Sequence, residues 1–208
     1  RSGRLIETRT LKIINGKTCV MSPEIEQFLS GMKKTIEDVV MPNLSDRFAQ
    51  EQASIVAASL GFLGLIQDKT FHYELLENQE YKRVLTDINE LLSNTFSAPA
   101  AIIETTTKVT DHFDTDKVDD PTHLRPYKFI RGSNEAMKEL LCEFIQQQAE
   151  MPTELRTAFE ALMKPFFKSI ELRERSWVKA LGFDPEAEQQ ADIADLLYKD
   201  GLLNIGKR

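Results

Sequence analysis

The segment D-H-F-D-T-D-K-V-D-D-P-T-H, residues 111–123, holds five aspartates and two histidines in thirteen positions. Carboxylates and imidazoles at that density are the raw material of a metal site. A calcium loop places acids at alternate positions, a glycine at the sixth and a bidentate glutamate at the twelfth. Counted from Asp111 or from Asp114, the glycine and the glutamate are both missing. A structural zinc cage needs about four ligands with cysteine or histidine among them. The spacing of His112 and His123 matches no such cage. Di-metal helical bundles need Glu-x-x-His pairs on facing helices, and the sequence contains none. The segment therefore reads as a polar, solvated connector ahead of Pro121, and neither a bound metal nor another cofactor is expected.

The stretch that follows it, T-H-L-R-P-Y-K-F-I-R-G-S-N-E at residues 122–135, reverses the charge. His123, Arg125, Lys128 and Arg131 concentrate positive charge in an otherwise acidic protein. They lead into Gly132-Ser133-Asn134, a set of residues that suits a helix start. Free backbone N–H groups at a helix N-terminus favour anions, and arginine forks suit carboxylate or phosphate. Arg125, Lys128, Arg131 and Ser133 are thus the candidate ligand-binding residues, for an anionic small molecule. The competing reading pairs these bases with the aspartates of 111–120 and leaves an ordinary capped helix.

No catalytic constellation emerges. Ser30 and Lys33 match the Ser-x-x-Lys pattern of penicillin-recognising enzymes, but that site also needs S-D-N and K-T-G elements, and both are missing. His72, four residues after Asp68, reads as a surface histidine near a helix start. Phosphate-binding glycine loops, nucleophile elbows and dinucleotide fingerprints are absent from the sequence. No motif is specific enough to name a family.

The elements that must position these residues follow from the periodicity. The chain has 208 residues, 41% hydrophobic and 28% charged, with a net charge of -7. That composition suits a globular domain and argues against a general phosphate-backbone binder, so no nucleic-acid partner is expected. The longest apolar-rich run, residues 55–66, falls short of the roughly 18 residues a spanning helix needs. No membrane partner is expected either. Two distant cysteines, Cys19 and Cys142, with no visible secretory signal suggest a reducing, cytoplasmic setting, and both read as packing residues.

T-L-K-I-I-N-G-K-T-C-V-M, residues 10–21, carries Asn15-Gly16 between apolar and β-branched flanks, which predicts a β-hairpin. Five apolar stripes at three- and four-residue steps then predict helices: from Ile25, from Asn43 or Ser45, over about 72–92, from about Ser133, and from Pro152 to Leu181. The second, rich in Ala, Ser and Gly, reads as the central and most buried helix. Gly182 reads as a helix stop, with a last helix from Asp184 to about Tyr198. Residues 96–131 show no helical stripe and read as a long irregular insertion. Within it, A-I-I-E-T-T-T-K-V-T at 101–110 reads as strand, pairing with the hairpin or with its copy in a second subunit.

The expectation is an all-α bundle of five or six helices, residues 22–208, with a β-hairpin appendage at 1–21. The function expected is a non-catalytic interaction or regulatory module that self-associates as a homo-oligomer through the hairpin, whose strand edges seek pairing. The alternative is a small-molecule binder or enzyme with its anionic ligand at Arg125, Lys128 and Arg131.

Overall fold

The computed structural model describes residues 13–14, 17–18, 24–94, 99–116 and 125–198. Among them are seven α-helices: α1 (Ile25–Thr35), α2 (Arg47–Ile66), α3 (Thr70–Ser93), α4 (Ala100–Asp116), α5 (Tyr127–Gln146), α6 (Thr153–Val178) and α7 (Ile193–Tyr198). The chain divides into two compact units, Arg1–Gln67 and Asp68–Arg208. The periodicity alone draws no boundary there.

The β appendage does not survive. Apart from Ile13–Ile14 set antiparallel to Lys17–Thr18, two residues a side, the described residues are helix and connection. A ladder that short, with no third strand beside it, is not a β layer. The turn at Asn15-Gly16 lies outside the described residues. The strand meant to support the hairpin is also gone, because residues 101–110 are helical.

The reason lies in α4 itself. Ile102, Thr105 and Val109 recur at three- and four-residue steps and are buried. Threonine and isoleucine favour strands on propensity, but a buried face decides when the two disagree. The threonine hydroxyls are also satisfied locally. Thr106, Thr107, Thr110 and Thr115 each donate to the carbonyl four residues earlier, at 2.8–3.1 Å, the bond that lets a hydroxyl sit inside a helix. The irregular insertion at 96–131 is therefore replaced by α4 and the start of α5, while residues 95–98 and 117–124 lie outside the described residues.

Unit 1 is a helical hairpin. Glu24 caps α1, its side chain and that of Gln27 closing a capping box. A wider turn (Ile36–Val40) and a tight one (Met41–Asn43) carry the chain through Pro42. Asp46 then caps α2, accepting from the Ala49 N–H at 2.8 Å. The expectation of a central, buried second helix fails here: Ala57 is the one apolar residue of α2 that is buried. Ten large apolar side chains of this unit stay 39–67% exposed: Ile25, Phe28, Met32, Val39, Val40, Phe48, Ile55, Val56, Leu63 and Leu65. Two helices cannot cover each other on more than one side.

Unit 2 has the core. Tyr81, Val84, Leu85, Ile88 and Leu92 of α3 meet Met137, Leu140, Leu141 and Phe144 of α5 and Leu155, Phe159, Met163 and Phe166 of α6. These are the stripes the periodicity predicts. α6 runs through Pro165 and ends where expected, with Gly182 in the left-handed region at φ 69°. The final helix is shorter than predicted, starting at Ile193. Cys142 is exposed and free rather than packed.

Candidate functional site

α3 places Glu74, Glu77, Asn78 and Tyr81 on one face, at steps of three and four residues. Three of them are polar on the side that faces α5 and α6, so their partners must come from those helices. Asn134 of α5, fully buried, accepts from Asn78 Nδ2 at 2.9 Å. Its own Nδ2 donates to the Glu74 carbonyl at 3.0 Å and to Glu74 Oε2 at 2.8 Å. Arg173 of α6, also buried, donates to Glu77 Oε1 at 3.0 Å and to Glu80 at close range. It lies 5.1 Å over the Tyr73 ring. Ser169 donates to Glu80 at 2.5 Å. Lys138 completes the group at 3.0 Å from Glu77. Burial works against the Lys138 charge, but Glu77 and Glu135 outweigh it and hold the ammonium pKa above the ordinary lysine value. Burial likewise pushes the Tyr81 phenol up to about 12.

A second polar cluster sits at the junction of α3, α4 and α5. His112 Nε2 lies 3.1 Å from Ser133 Oγ. Ser133 also accepts from Asn78 Nδ2 at 3.3 Å and lies 3.5 Å from Asp116 Oδ2. Asp116 is paired with Lys82. Burial holds the His112 pKa below the ordinary histidine value, with Asp116 pulling the other way. Serine, histidine and aspartate are the parts of an acyl-transfer site, but their relations are wrong for one. The carboxylate of a triad orients the histidine through its second nitrogen. Here Asp116 faces the hydroxyl and an ammonium instead. Ser133 lies within α5, where its backbone N–H is spent on the helix and cannot hold an oxyanion.

Of the four candidate ligand-binding residues, Ser133 is the one drawn into this cluster, where it meets His112 and Asp116 of the acidic segment. The helix starts at Tyr127, six residues earlier than Gly132-Ser133-Asn134 suggests, with Pro126 at its cap. The free N–H groups of a helix start therefore lie in the turn that begins at Tyr127, not at Ser133. Arg125 precedes the cap and stacks 4.6 Å from the Phe129 ring. Its Nη2 is buried with no hydrogen-bond partner among the described residues. Lys128 and Arg131 are exposed on the first turns of α5. Lys128 and Ser133 line a groove of about 310 Å³ with His112, Asp116 and Phe129. Arg125 and Arg131 are not among its lining residues.

The acidic segment is described only as far as Asp116, where it forms the end of α4. Residues 117–123, including Asp119, Asp120 and His123, lie outside the described residues. Among the described residues no three of His, Cys, Asp and Glu converge as a metal cage would require.

The buried network escaped the sequence reading. Its signal was present: Glu77 lies one turn before Tyr81 on the predicted core face, and a charge on an apolar stripe demands a partner. What periodicity does not supply is the partner's identity, since Arg173 is 96 residues away from Glu77.

α2 is the one described helix long and apolar enough, by length and composition, to cross a membrane. No family model, curated protein or solved structure matches the chain. The fold is all-α, and the two polar clusters join its helices α3, α4, α5 and α6.

Proposed function

We propose that the protein is a non-catalytic interaction module whose partner-binding surface is the apolar side of the α1–α2 hairpin. One observation carries this reading: ten large apolar side chains exposed on a two-helix unit. Monomeric proteins rarely expose contiguous apolar patches beyond a few hundred Å². The misarranged serine, histidine and aspartate of unit 2 support the non-catalytic part. An exposed, free Cys142 accords with a reducing, cytoplasmic compartment.

An anionic ligand at Arg125, Lys128 and Arg131 is the weaker reading. Lys128 reaches the 310 Å³ groove, but so does the Asp116 carboxylate, which repels an anion.

The test is a photo-reactive phenylalanine analogue at position 28, irradiated in cells, with the same analogue at Phe183 of unit 2 as control. Phe183 is 84% exposed and lies off the proposed face. A protein adduct at 28 and none at 183 is expected. No adduct at 28 refutes the reading.

A further inference from the structure

No further inference is drawn: the strongest candidate, the groove of about 620 Å³ between the C-terminal end of α5 and the middle of α6, sets Lys164 and Lys168 against Glu160 and Glu171 around its apolar side chains, so its charge selects no ligand and nothing in the structure shows what covers it.

Discussion

Arg173→Met removes the one buried cation that α6 contributes to the α3 carboxylates, and the cost follows from what it leaves behind. Glu77 keeps Lys138 at 3.0 Å and a contact from Asn134 at 3.4 Å. Glu80 keeps only the neutral Ser169 hydroxyl at 2.5 Å. One buried carboxylate is thus stranded, not two. Breaking a buried pair by deleting one partner costs about 3–5 kcal/mol, most of it the penalty of the remaining charge. With a urea m-value of about 2 kcal/mol/M, ordinary for a domain of this size, the unfolding midpoint should fall by about 2 M. Adding Glu80→Gln should recover more than half of the loss, because an amide keeps the Ser169 bond and carries no charge to strand. Urea titration followed by circular dichroism, with the single and double variants side by side, makes the measurement. A fall of less than about 1 kcal/mol, the range of an exposed pair, would refute the claim that this network is desolvated. A double variant no better than Arg173→Met would show that lost packing, not a stranded charge, is the cause.

Two further outcomes are expected. Burial lowers the folded-state His112 pKa below its free value of 6.5, so the folded chain binds fewer protons than the unfolded one, and this contribution to stability is lost as pH falls from about 6.5. His112→Gln should flatten that part of the stability–pH curve, and equal slopes for the two proteins would contradict the assignment. Gly182→Ala forces a Cβ into the left-handed region at φ 69°, a strain of about 1–2 kcal/mol, and should lower Tm by a few degrees; an unchanged or raised Tm would show that the turn relaxes freely.

The stripes of α3, α5 and α6 were legible because burial repeats with the helical period. Tyr81, Val84, Leu85 and Ile88 lie in the core where the spacing puts them. α4 was not legible, since its threonines look like strand until their hydroxyls are seen bonding the preceding turn. α2 misled for a different reason. Ala, Gly and Leu in quantity predict an apolar environment, and hydropathy does not say whether the same chain supplies it. The start of α5 misled because Gly132-Ser133-Asn134 has the composition of a cap. Ser133 is instead spent on Asn78 and His112, a use that depends on helices far away in sequence. Arg125, Lys128 and Arg131 were picked by local charge and Ser133 by cap composition, and of the four only Lys128 and Ser133 reach a shared groove.

The mutual dependence of Asn78, Asn134, Glu77, Glu80 and Arg173 also limits how this sequence can change. An asparagine at 78 is useful only while 134 offers its amide, and an arginine at 173 is tolerable only while α3 holds carboxylates within reach. A change at one of these positions leaves an orphan at another, so the neutral routes open to the chain pass through paired replacements. Exposed positions on α5, such as Glu139, have no such tie and can vary one at a time. Two copies of the gene evolving apart would accumulate differences on the outer faces of α3, α5 and α6 first, and at the five network positions only in concert.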